Sequence, residues 1–300
     1  MTALPETTSP PKLPERYEVV RHLGRGGMSH VWLANDLLLE RQVAIKGLRA
    51  RYLGDPKIHE RFRREGIAAA KMEHPNLVPV HDVFSVDDAP YIVTGYMPGG
   101  SLFHRVRSNG PLDLDGFLRA TRAILTGLRC IHDLGVVHRD IKPSNLLIDA
   151  EGEVRLADFG VAHLAEALRI TGTLELVGTP VYMSPESLSG NEADAASDLF
   201  SLGRTLVYLA NASVRTGRLP ASYPEALHRW AVGLLSLDPA LRFVSARTAL
   251  AELDVVVKGG VKLRPVLEAN DEEFVDDLLS ADTIPQSPDR EQPRTGKTTA

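Results

Sequence analysis

Asp140, Lys142, Asn145 and Asp158 are side chains whose types and spacing could do chemistry together. Three of them stand in the run His138-Arg139-Asp140-Ile141-Lys142-Pro143-Ser144-Asn145, and the fourth opens Asp158-Phe159-Gly160. An acid able to orient a hydroxyl, a lysine beside it, and an amide and a carboxylate able to hold a hard cation form an inventory for phosphoryl transfer. That chemistry asks the protein mostly for positioning and charge neutralisation. A lone Asn or Asp is usually a turn former, so the argument rests on the set.

The elements around these residues are legible. Gly135-Val136-Val137 precedes them, Leu146-Leu147-Ile148 follows, and Val154-Arg155-Leu156 leads into Asp158. Short apolar runs broken by polar residues predict brief strands that hold a loop still. Residues 115–132 carry Phe117, Thr121, Ile124, Leu125, Leu128 and Ile131 at three- and four-residue steps, which predicts an amphipathic helix leading into the loop. Near the start, a strand from Tyr17 enters Gly24-Arg25-Gly26-Gly27-Met28-Ser29, where glycines let backbone N–H groups approach an anion. Val43-Ala44-Ile45-Lys46 predicts another strand. Residues 56–72 read as a helix with Ile58, Phe62, Ala69 and Met72 on one face and Glu65 among arginines. Gly66 costs this helix roughly 1 kcal/mol relative to Ala and predicts that it is easily displaced.

Taken in order, these motifs resemble a eukaryotic-like (Hanks-type) Ser/Thr protein kinase of the bacterial kind, over about residues 17–253. The resemblance implies an α+β, two-lobe fold: residues 15–97 form a small β-rich lobe with one helix and the hinge, and 98–254 a mainly helical lobe. It implies that ATP lies against Leu23, Gly24, Gly26, Val31, Ala44, Lys46 and Leu147, with Thr94 behind it and backbone groups of Gly95 and Met97 at its adenine. Gly95 stands where an acid is common, which predicts a looser hinge. Lys46 would hold the phosphates and pair with Glu65; Asn145 and Asp158 would hold Mg2+, or Mn2+ in its place. Asp140 would take the proton of a Ser or Thr hydroxyl beside Lys142.

Further along, Thr171 and Thr173 are the expected phosphorylation sites, because a phosphate there would give Arg139 an anionic partner. By the same resemblance Thr179 faces Asp140 and Lys142, Glu186 pairs with a buried Arg242, and Asp198 holds the backbone of the catalytic loop. The stretch 211–236 is too short for the family's extra substrate-docking helix, which is expected to be missing or reduced.

Composition sets the outer limits. A chain of 300 residues with 43% hydrophobic and 24% charged residues is an ordinary globular protein, and a net charge of −5 gives no reason to bind nucleic acid. One cysteine, Cys130, excludes an intrachain disulfide. No apolar run is long enough to span a membrane, and a cytoplasmic location is expected. Residues 1–14 read as a disordered leader and 255–300 as an extension in which Val255-Val256-Val257 could add a short strand or packing segment. After it comes an acidic, apolar-striped segment, 270–279, that could meet a partner. Expected partners are protein substrates and a transient second copy for trans-autophosphorylation. The alternatives are a kinase-shaped scaffold with little turnover and a small-molecule phosphotransferase.

Overall fold

The computed structural model describes residues 10–158 and 180–259. Phe159, Gly160, Thr171, Thr173, Thr179 and the acidic segment 270–279 lie outside the described residues.

The first lobe is a five-stranded antiparallel sheet of order β1-β2-β3-β5-β4. Its strands are β1 (Tyr17–Arg25), β2 (Ser29–Asp36), β3 (Arg41–Leu48), β4 (Val80–Val86) and β5 (Ala89–Gly95). Register places Lys46 opposite Val31 and Ile92, and Ala44 opposite Thr94. Alternation then turns Ala44 and Lys46 to the same face of the sheet. Residues 10–14, read as leader, are partly placed: Leu13 packs beside Tyr17, whose N–H donates to the Pro14 carbonyl.

Helix α1 (Pro56–Ala69) starts where Asp55 caps Lys57 N–H and Pro56 fills the first turn. It buries Ile58, Phe62, Gly66 and Ala69. The expectation that Gly66 loosens this helix is corrected by its packing. A Cβ there would come within 2.9 Å of Ile92 and 3.1 Å of Val83, so the missing side chain lets the helix sit close on β4 and β5.

The second lobe is helical. Helix α2 (Leu102–Asn109) follows the hinge, and α3 (Leu114–Asp133), capped by Asp113, buries Phe117, Ile124, Leu125, Leu128 and Ile131. A two-stranded ribbon, β6 (Leu146–Ile148) with β7 (Val154–Leu156), crosses its end. After the short α4 (Pro185–Leu188) comes α5 (Ala195–Asn211), begun by a capping box between Asp194 and Ser197 and buried almost throughout. Such a helix is the spine of its lobe, and one core runs through α3, α5, α6 (Glu225–Leu235) and α7 (Ala246–Val257). Thirteen residues of turn, 212–224, join α5 to α6, with no additional helix. Val255-Val256-Val257 continue α7, and Val256 packs against the core, so of the two expectations for them the packing segment holds and the strand does not. Among the described residues no helix is long and apolar enough to cross a membrane.

Candidate active site

A cleft of 1540 Å3 opens between the lobes. Leu23, Gly24, Gly26 and Val31 roof it from β1 and β2, Ala44 and Lys46 enter from β3, and Glu65 from α1. Thr94, Gly95 and Met97 form its back, while Leu147, Arg139, Asp140, Lys142, Asn145 and Asp158 form its floor. Asp198, Glu186 and Arg242 stand outside the lining; Asp198 holds the floor in place, and Glu186 pairs with Arg242.

The floor is built on Asp198, at the start of α5 and 1% exposed. One carboxylate oxygen accepts the N–H of Arg139 at 2.7 Å; the other accepts His138 N–H at 2.7 Å and meets His132 Nε2 at 2.8 Å. Arg139 adopts φ 67° and Asp158 φ 62°, conformations that cost of order 1–3 kcal/mol each unless neighbours over-determine them. The Asp198 anchor supplies that constraint at Arg139.

His138, a residue to which the motif reading gave no role, ties the two halves of the floor. It is fully buried; Nδ1 accepts Asp140 N–H at 3.2 Å and Nε2 donates to the Ala157 carbonyl at 3.0 Å. The two bonds fix one tautomer, protonated on Nε2. Ala157 N–H returns to the Asn145 carbonyl at 2.8 Å. A buried imidazole beside a reactive acid was the available signal.

Asp140 is gripped by two neighbours. Lys142 Nζ lies 2.8 Å from each of its oxygens, and Asn145 Nδ2 donates to its Oδ2 at 2.9 Å and to its backbone carbonyl at 2.8 Å. Committing the Asn145 nitrogen leaves the amide oxygen as the group that can face a cation. Asp158 lies across from it with its side chain 42% exposed into the cleft. Burial opposes its ionisation, but the Lys46 ion pair and bond, with Lys142 and His138 nearby, outweigh that and hold its carboxyl below the usual carboxylate range. One amide oxygen and one ionised carboxylate fit a hard divalent cation that takes its remaining ligands from phosphate and water. No cluster of three or more acidic, His or Cys ligands exists among the described residues.

Lys46 and Arg139 have partners that the motif reading did not name, and the expectation of a loose hinge is corrected. Lys46 Nζ bonds Asp158 Oδ1 at 2.7 Å, and no ion pair joins it to Glu65, although both line the cleft. Asp158 sits closer to the ammonium and takes it. Arg139 already has an anion within reach, Glu192 Oε1 at 3.6 Å, so its cation is not waiting on a phosphate alone. Gly95 does not loosen the hinge: a Cβ there would meet Pro79 at 3.0 Å and Met97 at 3.1 Å. Its N–H is also taken by the Pro79 carbonyl, which leaves only its own carbonyl for a ligand.

Farther out, Arg242, its side chain 0% exposed, grips Glu186 with two bonds of 2.6 and 2.9 Å. Ser197 adds a third at 2.7 Å. Burial works against the Glu186 anion, but these donors prevail and hold its carboxyl at about 2. Ser184, 1% exposed, caps α4 through Ser187 N–H, which explains a hydroxyl at that position.

Residues 17–220 match the family model described as "Protein kinase domain". The chain is 40% identical over 205 residues to serine/threonine-protein kinase PrkC of Bacillus subtilis, covering 68% of this chain and 31% of that protein. It is also 40% identical over 205 residues to serine/threonine-protein kinase PknB of Mycobacterium tuberculosis, covering 66% and 33%. The chain thus spans about a third of the length of these curated relatives. Among solved structures, the PknI kinase domain of Mycobacterium tuberculosis superposes with a TM-score of 0.63 at 25% identity, covering 84% of this chain and 99% of that one.

Proposed function

The chain belongs to the protein kinase domain family, and from that premise we propose that it transfers the γ-phosphate of ATP to Ser and Thr hydroxyls of proteins. The observation that carries this reading is the convergence of Asp140, Lys142, Asn145, Asp158 and Lys46 on one cleft. The names of the relatives support a Ser/Thr acceptor, as does the lysine two residues after Asp140.

Asp140, its rotamer fixed by Lys142 and Asn145, accepts the hydrogen bond of the acceptor hydroxyl and then its proton. Lys142 holds a positive charge beside that hydroxyl. Asn145 and Asp158 would hold Mg2+, or Mn2+, which when bound neutralises charge on the phosphates. For that, Lys46 moves from Asp158 towards Glu65 and the phosphates, so the described arrangement is a resting one. The Gly95 carbonyl and Met97 N–H meet the adenine edge. Phosphorylation of Thr171 or Thr173 adds a stronger anion for Arg139, exchanged between two copies in a transient dimer. A reaction that consumes ATP belongs to the cytoplasm. The short 212–224 connection favours protein substrates docked elsewhere than on an added helix. The presence of the whole residue set supports turnover over a nucleotide-binding scaffold.

The test is the intact mass of phosphatase-treated protein after incubation with Mg-ATP, with Asp140→Asn treated alike. Wild type gains phosphate and Asp140→Asn does not. Equal masses for the two, with or without a gain, contradict the assignment of Asp140.

A further inference from the structure

The glycine-rich turn has little of its own to hold it. Gly26 N–H donates to the Ser29 carbonyl at 2.8 Å, and a chain with three glycines in four positions keeps unusual backbone freedom. Its Gly27 carbonyl, however, receives two guanidinium groups. Arg49 Nη1 donates to it at 3.1 Å and Arg51 Nη2 at 3.0 Å. Both come from just beyond β3, where a 3-10 turn, Ala50–Tyr52, leads to α1.

The arginines are themselves fixed. Arg49 is 8% exposed and its own N–H donates to the Met28 carbonyl at 2.9 Å. Arg51 stacks on Tyr52, 4.7 Å from the ring centre. The Met28 side chain is buried with Tyr52, Ile58 and Phe62, so the turn is pinned beneath α1 as well.

A peptide unit is planar, and its C=O and N–H point opposite ways. Drawing the Gly27 oxygen onto two arginines therefore turns the Met28 N–H, in the same peptide, away from them. Among the described residues no backbone acceptor takes that N–H, and Met28 lines the cleft. We propose that Arg49 and Arg51 are positioning residues that clamp the Gly27 carbonyl and so present the Met28 N–H of this turn to the phosphates of ATP. This rests on the kinase reading and adds to it: the clamp sets affinity for the phosphates and leaves the adenosine end untouched.

Calorimetric binding of ATP and of adenosine to the full chain tests it, because adenosine lacks the phosphates. In Arg49→Met/Arg51→Met, ATP is expected to bind about tenfold more weakly, the order expected for losing a charge-assisted hydrogen bond, while adenosine stays within about twofold. Arg51→Met alone, at an exposed position, moves the same ratio in the same direction without threatening the fold. Arg49→Lys/Arg51→Lys keeps both charges without the planar fork, and is expected to lose at least about threefold for ATP. Wild-type ATP affinity in the lysine variant, or parallel weakening of both ligands in the methionine variants, overturns the clamp. Wild type that binds neither ligand overturns the nucleotide reading and the clamp with it, whereas wild type that binds both, with no change in the variants' ratio, overturns the clamp alone.

Discussion

Below the cleft, both oxygens of the buried Asp198 are engaged, the buried His138 bridges Asp140 to Ala157, and Asp140, at the cleft surface, is held by two neighbours. Above it, Lys46 has one ionic partner among the described residues, Asp158, and that partner sits in the other lobe. Glu65 faces the same cleft without pairing to Lys46, and the glycine-rich turn depends on two arginines. The floor is fixed by groups whose loss would strand buried donors. The roof is fixed by contacts that can be exchanged. A site divided in this way has Asp140, the acid of the proposed reaction, in place beforehand, and on that proposal completes its cation- and phosphate-binding side when nucleotide arrives and Lys46 leaves Asp158.

The comparison can be broken most severely at Asp198. Asp198→Ala strands two buried backbone N–H groups and His132, and should cost about 3–5 kcal/mol in urea unfolding. An unchanged midpoint would mean that the floor is not held as described.

Next comes Glu186. Its folded carboxyl at about 2 lies below the ordinary value of 4.5, so its stabilising contribution is present above pH 4.5 and lost as pH falls towards 2. Glu186→Gln should therefore be less stable by about 3 kcal/mol at pH 7. Wild type and variant should converge across that acid window when unfolding is followed by fluorescence; a gap independent of pH would contradict the ion pair as its source.

Gly66→Ala sharpens the contrast on the upper side. Helix propensity alone would stabilise it by about 1 kcal/mol, but the 2.9 Å approach to Ile92 predicts a loss of about 1–3 kcal/mol from overpacking. A rise in melting temperature would show that propensity wins.

Smallest in its effect on the resting lysine is Glu65→Gln, which should leave the Lys46–Asp158 pair in place, since Lys46 rests on Asp158. Its phosphoryl-transfer rate should nevertheless fall, by about 10²-fold, because the aligned lysine is needed only during turnover. An unchanged rate would mean that Lys46 does not use Glu65 during turnover.

How far the sequence carried the reading differs between the same two regions. The floor is local: Asp140, Lys142, Asn145 and Asp158 fall within a few turns of chain, and their spacing alone brings them together. The long apolar periodicity of α3 and the acid at the start of α5 were legible for the same reason. What the sequence hid depends on partners far along the chain. The Lys46 ammonium chooses Asp158, 112 residues away, over Glu65. Gly66 and Gly95 read as loosening residues, yet each makes room for a neighbour that pattern reading does not reveal, Ile92 in one case and Pro79 in the other. His138 gave its motif a histidine but no role until the Ala157 carbonyl stood 3.0 Å from it.

The measurement that tests this account most directly is hydrogen exchange with and without Mg2+ and a non-hydrolysable ATP analogue. The amides of His138 and Arg139, donated to Asp198, should exchange slowly in both states, while the Gly27 and Met28 amides of the glycine-rich turn gain protection with nucleotide. Fast exchange at His138 and Arg139 in the free protein, slowed only by nucleotide, would contradict a floor assembled in advance of its substrate.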